Sequence, residues 1–292
     1  MDFVNDVVWP GLVSGSLFAL VALGINMVER VTKVVNFAHA QLIYWAPLAT
    51  LLLARQFHLP VALAFVLATV GVVAASLVEE RVAIRPFLRR GAALPWILST
   101  LAVGTLLERA AHYQFSGEPQ AFTYNFGQGP VDLFGIRTTG AEIAIIVVAL
   151  VLVGVVSLLW RMTLLGRRLH AVAEDLDGAT SVGISAARAS QLVMAGSALV
   201  AAVTGFVAAP SLQVGPSLGL TLLFNGFVAA AIGGIGSLHG SLVGGLVLGF
   251  LLQYANANFG TLALNSVLFG TLLVVYLVRP QGLFGDRALR SV

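Results

Sequence analysis

The chain has 292 residues, is 58% hydrophobic and 10% charged, carries a formal net charge of +3 with a pI near 9.7, and has a mean hydropathy of +0.94. Such a composition excludes a soluble globular domain, and the lack of any cysteine excludes disulfides, thiolate chemistry and cysteine metal sites. Apolar runs of about 20 residues cross a hydrocarbon core of roughly 30 Å only when the backbone satisfies itself, so the fold class is an all-α integral membrane protein, a polytopic helical bundle.

In chain order, apolar runs bounded by charges, proline and glycine predict spans at 7–28, 36–54, 59–78, 93–115, 140–160, 190–210, 219–235, 240–257 and 262–278. The first begins "MDFVNDVVWPGLVSG". Asp2 and Asp6 stand where a secretory signal would be positive, so the expectation is a retained span. The runs at 219–235 and 240–257 are short, glycine-rich and joined only through "GSLHG", which predicts broken or re-entrant segments and eight or nine crossings. Between the fourth and fifth runs, 116–139 is rich in Gly, Pro and aromatic residues and reads as a folded outer loop that docks a partner. The segment 161–189 is the longest polar stretch on the opposite side. One membrane domain, 1–292, accounts for the whole chain.

The basic residues fix an expected orientation. With the N-terminus outside, the inner loops hold Arg30, Lys33, Arg81, Arg85, Arg89, Arg90, Arg161, Arg167, Arg168, Arg188, Arg279, Arg287 and Arg290, and the outer side holds Arg55, Arg109 and Arg137. The excess of positive charge inside places the C-terminus in the cytoplasm and removes a nucleic-acid reading of the pI.

Four features invite a functional reading. Within "HAVAEDLDGATSVGIS" (170–185), Glu174, Asp175 and Asp177 cluster in a chain poor in charge. On one helix Glu174 and Asp177 would share a face and repel. Nothing apolar encloses them, which argues against acid–base catalysis. The stretch is either a solvated connector or a short amphipathic helix, with Ala171, Ala173, Leu176 and Val182 as its apolar side, presented to a cytoplasmic partner. Gly236, Gly240, Gly244, Gly245 and Gly249, with Gly11 and Gly15 elsewhere, are spaced so that helix backbones approach closely, either as fixed packing or as a gating ridge. Asn26, Asn36, His39, Gln41, Asn225 and Gln253 interrupt apolar runs. Singly each bridges helices for about 0.6 kcal/mol; together they offer a zwitterion uncharged hydrogen-bonding groups along a translocation pathway. Glu108 and Arg109 near the outer end of the fourth run suit an interfacial pair better than a proton relay.

No catalytic or metal site is expected. "GPSLG" (215–219) fits a nucleophile elbow only in letters, since it joins two membrane helices, and no H-E-x-x-H pattern occurs. The single lysine, Lys33, lies in "RVTKVVN" without glycine, so the chain has no phosphate-binding loop and no ATP site.

Five stretches, in order, resemble the branched-chain amino acid permease family of ABC importers (LivH type): "VNFAHAQ" (35–41), "VEERVAIRP" (78–86), "LLGRRLHAVAEDLDGATSVGI" (164–184), "AAIGGIGSLHGSLVGGLVLG" (230–249) and "VRPQGLFG" (278–285). The chain departs from the family at Ala40, where glycine is usual, and at Asn225, where a basic residue is common. The resemblance implies ABC permease architecture in a bacterial inner membrane, with 161–189 as the cytoplasmic coupling-helix loop and Glu174, Asp175, Ala179 and Gly183 as the residues that couple it to the ATPase. Gly183 has a physical reason of its own, since glycine after a last helical turn takes the left-handed conformation that ends it. The resemblance also implies import of Leu, Ile or Val by alternating access. Implied partners are a second permease subunit (a related LivM-type chain or a copy), two ATPase subunits that bind ATP and Mg, and a periplasmic or lipid-anchored substrate-binding protein. Urea, short amides or other amino acids are the alternative cargo. A secondary transporter usually needs ionisable residues at mid-membrane, and their shortage here argues against it.

Overall fold

A computed structural model describes residues 3–86, 93–115, 118, 120, 122, 129–133, 135–212, 214–215 and 218–285. Its elements are α1 (Trp9–Thr32, entered through a π-helical turn at Val4–Val8), α2 (His39–Gln56), α3 (Val61–Glu79, continued by a π-helical turn at Glu80–Ile84), α4 (Ala93–Phe115), β1 (Pro130–Leu133), β2 (Ile136–Thr139), α5 (Gly140–Met162), α6 (Leu164–Glu174), α7 (Leu176–Ser181), α8 (Ala186–Ala208), α9 (Leu218–Gly233), α10 (Leu238–Phe259) and α11 (Ala263–Val278). Each of the nine apolar runs has become a helix. Five of them, α1, α3, α5, α8 and α10 with their π-helical extensions, are long and apolar enough to cross a membrane, and α9 and α11 are shorter apolar helices.

The expectation of broken segments at 219–235 and 240–257 is corrected. α9 runs unbroken for 16 residues and α10 for 22. Glycine weakens a helix in water, but in a bilayer the backbone has no competing partner and the helix persists. The turn between them, Gly234–Ser237, carries the irregularity instead, with Gly234 and Gly236 at φ +105° and +81°.

α1 is the centre of the bundle. Every residue from Gly15 to Val28 is buried, while α3 and α5 leave most of their apolar side chains facing outward, Val66, Val70, Val147, Val151 and Leu158 among them. Glycine makes the close packing possible. A methyl group on Gly249 would overlap the Gly11 carbonyl and the Gly15 backbone, one on Gly245 would strike Ala19, one on Gly244 would meet Ala229 and Gly233, and one on Gly240 would meet Gly233. These residues therefore bind α10 to α1 on one side and to α9 on the other. Pro47 shows a related solution inside α2: it leaves the Ile43 carbonyl without its helical donor, and the backbone of Gly205 on α8 packs directly on that oxygen.

Caps come from the polar residues at helix ends. Thr139 and Glu142 form a capping box on α5, and Glu142 also accepts hydrogen bonds from Trp9 Nε1 (3.2 Å) and Thr138 Oγ1 (2.9 Å). Between α4 and α5 the described residues form an antiparallel hairpin, β1 with β2, turning at Gly135 (φ +88°). Sequence reading did not anticipate it, since four-residue strands leave too short a pattern to register. The rest of that loop, 116–117, 119, 121, 123–128 and 134, lies outside the described residues, as do Arg89, Arg90, Arg287, Arg290 and residues 216–217 of "GPSLG".

The motif "VRPQGLFG" closes the chain onto α9. The N–H groups of Leu283 and Phe284 donate to the Ile232 and Gly233 carbonyls at 2.8 and 2.9 Å. Both are orphan acceptors at a helix C-terminus, and the glycines at 234, 282 and 285 allow the two backbones to meet.

Candidate functional site

The acidic stretch is two helices rather than one. α6 ends at Glu174, Asp175 adopts an extended conformation (φ −144°, ψ 105°), and α7 begins at Leu176. Asp175 Oδ1 accepts from the N–H groups of Asp177 (3.1 Å) and Gly178 (3.0 Å), an N-cap on α7. Glu174 and Asp177 thus do not share a helical face, which corrects the single-helix reading. Gly178 sits under the capping carboxylate, where a side chain would collide with Asp175. At the far end the Gly183 N–H donates to Thr180 (3.1 Å) and the Ile184 N–H to Ala179 (3.0 Å), with Gly183 at φ +85°, the paired bonds of a Schellman ending.

Burial sorts the stretch by role. Leu169, Val172 and Ala179 face inward and pack with Val153, Val156 and Trp160 of α5, Val193 of α8 and Val31 of α1. Glu174 is exposed and lies 3.2 Å from His170 one turn earlier. Leu176 and Val182 are exposed, while Ala171 and Ala173 are half-buried. The element therefore anchors through one face to three membrane helices and leaves acids, Leu176 and Val182 on the other.

The pathway candidates separate into three places. Asn36 and His39 stand at the start of α2. Asn36 Oδ1 accepts from the Ala38 N–H at 2.8 Å, and Ser197 Oγ lies 2.9 Å from His39 Nδ1. Ser197 Oγ also lies 3.1 Å from the Gly24 carbonyl; its single proton serves one of the two, and with that proton on Gly24 it is His39 Nδ1 that donates to Ser197 and Nε2 that carries the lone pair. That Nε2 is buried against Gly24 without a partner among the described residues. Gln41 lies a turn further on, its amide wedged between Gly104 of α4 and Gly219 of α9, beside Tyr44. These three are interior groups that join α2 to α1, α8, α4 and α9. Asn26 is likewise held, donating to Ser237 O (3.1 Å) and Ser241 Oγ (2.8 Å) and accepting from the Gly236 N–H (2.9 Å).

Asn225 and Gln253 do meet. They line a cleft of about 500 Å³ between α1, α9, α10 and α11, together with Thr221, Asn265, Ser14 and Phe224. No hydrogen bond from another described residue reaches the amides of Asn225, Gln253 or Asn265. Asn265 was overlooked in the sequence although it carries the signal that singled out Asn225, a primary amide inside an apolar run. Two further groups were also missed. Ser197 is indistinguishable in sequence from any helical serine, and Glu79 is buried near Asn36 at the end of α3. Glu108 is half-buried, Arg109 is exposed, and the two form no ion pair among the described residues. The ion pair near the predicted arginine-rich loop is instead Glu80 with Arg85, held by two contacts at 3.0 and 3.2 Å.

A central glycine-packed helix, peripheral lipid-facing helices, an amphipathic helix pair at one face and an amide-lined cleft define a polytopic membrane transport subunit. The profile of the family described as "Branched-chain amino acid transport system / permease component" matches residues 8–277, and the chain belongs to that family. It is 32% identical to the high-affinity branched-chain amino acid transport system permease protein BraD of Pseudomonas aeruginosa, covering 97% of this chain and 96% of that one. It is 28% identical over the same shares to the corresponding LivH proteins of Salmonella typhimurium and Escherichia coli. Among solved structures, PsaBC from Streptococcus pneumoniae in complex with Fab shares the fold at a TM-score of 0.51, with 13% identity over 96% of this chain and 95% of that one.

Proposed function

We propose that this chain is the membrane-spanning permease subunit of an ABC importer that carries branched-chain amino acids across the bacterial cytoplasmic membrane, with its N-terminus outside and its C-terminus in the cytoplasm. The observation that carries the substrate reading is the cleft of Asn225, Gln253 and Asn265. Primary amides offer both donors and acceptors without charge, which suits the ammonium and carboxylate of an amino acid, while Phe18, Phe224, Leu252, Leu264, Leu268 and Phe269 form apolar walls for an aliphatic side chain. Relatives named for branched-chain amino acid transport support the same cargo.

The energy comes from elsewhere. Two partner ATPases bind ATP and Mg, a soluble binding protein delivers substrate at the outer face, and a second permease subunit completes the pathway. α6 and α7 are the coupling element: Glu174 and the exposed start of α7 meet the ATPase, and Leu169, Val172 and Ala179 carry its movement into α1, α5 and α8. A lever of this kind needs a packed root and a free face; the buried Leu169, Val172 and Ala179 and the exposed Glu174 and Leu176 support that reading.

The test is uptake by the assembled importer in proteoliposomes, with labelled leucine and labelled urea in parallel. ATP-dependent leucine uptake, reduced at least tenfold by the pair N225L and N265L with basal ATPase activity retained, is the expected result. Urea uptake without leucine uptake would overturn the substrate, and uptake unaffected by the pair would overturn the cleft.

A further inference from the structure

A second cavity, of about 320 Å³, lies away from the cleft, between α6, the turn at 182–185 and the first turns of α8. Its lining combines two chemistries. Arg168 and Arg188 both border it, and neither makes an ion pair among the described residues. The start of α8 at Ser185 adds a helix N-terminus of 23 residues. Leu165, Val182 and Leu192 form the opposite wall, each at least 46% exposed. We propose that this groove binds one anionic phospholipid, its phosphate held between Arg168 and Arg188 and its acyl chain laid along Leu192.

Continuity of surface favours a lipid. Exposed leucines run from the groove onto the membrane-length helices: Leu199 stands two turns beyond Leu192 on α8, and Leu158 and Leu159 lie on α5 just before α6. α6 itself is an amphipathic helix at the end of a membrane span, with Gly166, Leu169 and Val172 buried and Arg167 and Arg168 outward, the placement of a helix at headgroup depth. A phosphate at that depth faces two unpaired guanidinium groups. A free anion satisfies the arginines but leaves the leucine wall without a role, and an acidic segment of a soluble partner has no reason to reach the leucines on α5 and α8. The amphiphile uses both halves of the groove.

The importer is extracted from membranes with its ATPase, and phospholipid retained per complex is counted by native mass spectrometry, with phosphatidylglycerol titrated back after delipidation. Wild type is expected to retain phosphatidylglycerol, and R168Q/R188Q to bind it about 30-fold more weakly, at about 1 kcal/mol for each basic residue at the surface. L192Q keeps both charges and is expected to weaken binding through the wall alone, which preserves the test if the double variant does not fold. Equal retention by wild type and all variants would overturn the proposal. So would displacement of the lipid by millimolar inorganic phosphate, which marks a free-anion site, or loss of the ATPase with unchanged lipid, which marks a protein contact.

Discussion

Gly249 and Gly154 both lie on membrane helices, but a methyl group at Gly249 would overlap the backbone of α1 while one at Gly154 would meet nothing within 4 Å. G249L must push two backbones apart, at a cost of about 3 kcal/mol, the upper end for overpacking; G154L enters open space. Size-exclusion chromatography of the two variants in detergent checks this, with G249L expected to aggregate and G154L to elute as wild type. The spacing of the glycines was legible in the sequence. Their partner was not, because a four-residue repeat marks a close-packing face without naming what packs on it. His39 repeats the lesson with a polar group. Its motif stands out in sequence, but its hydrogen-bond partner, Ser197, comes from α8 and has no local signal. S197A leaves His39 Nδ1 and the Gly24 carbonyl buried without this partner, so we expect a loss of about 1–2 kcal/mol in thermal unfolding. An unchanged melting temperature would mean that water replaces the hydroxyl.

The coupling element separates charge from shape. Reversing both Glu174 and Asp175 to lysine is expected to abolish uptake, but Asp175 is also the cap of α7, so that double change mixes two effects. D175N retains an oxygen that accepts from the α7 N–H groups, whereas D175A removes it at about 1 kcal/mol. We expect E174K to block leucine-stimulated ATP turnover, D175N to leave it near wild type, and D175A to reduce it. If D175N fails as badly as D175A, the carboxylate charge matters at that position and capping alone is an insufficient account. The sequence carried the end of this element accurately, since Gly183 is demanded by its left-handed backbone. It obscured the middle. Asp175 reads as one more acid in an amphipathic run until its extended backbone shows that a cap interrupts the helix, and with it the supposed face of Glu174 and Asp177.

Among the nine apolar helices, polar side chains gather on the face formed by α9, α10 and α11. There Asn225, Gln253 and Asn265 line one cleft without a hydrogen bond from another described residue. A bilayer offers them no partner, and each unmet group costs several kcal/mol in hydrocarbon. The arrangement is stable only if that face meets water or protein, and on the proposed function the second permease subunit lies against it, with the cleft as half of a shared pathway. The sequence supplied the amides one at a time. That three of them converge from α9, α10 and α11 depends on helix rotations set by the glycine contacts of α10 with α1 and α9. The absence of native cysteine makes the consequence directly measurable. Single cysteines at Phe269 and Tyr254, both half-exposed on this face, are expected to cross-link to the partner permease under mild oxidation when paired with cysteines at matching positions there. Cysteines at Leu158 and Val151 on α5, equally exposed, are expected to remain monomeric. Cross-linking through α5 with none through α10 or α11 would turn the assembly around, leave the cleft facing lipid and remove the physical basis for a shared pathway.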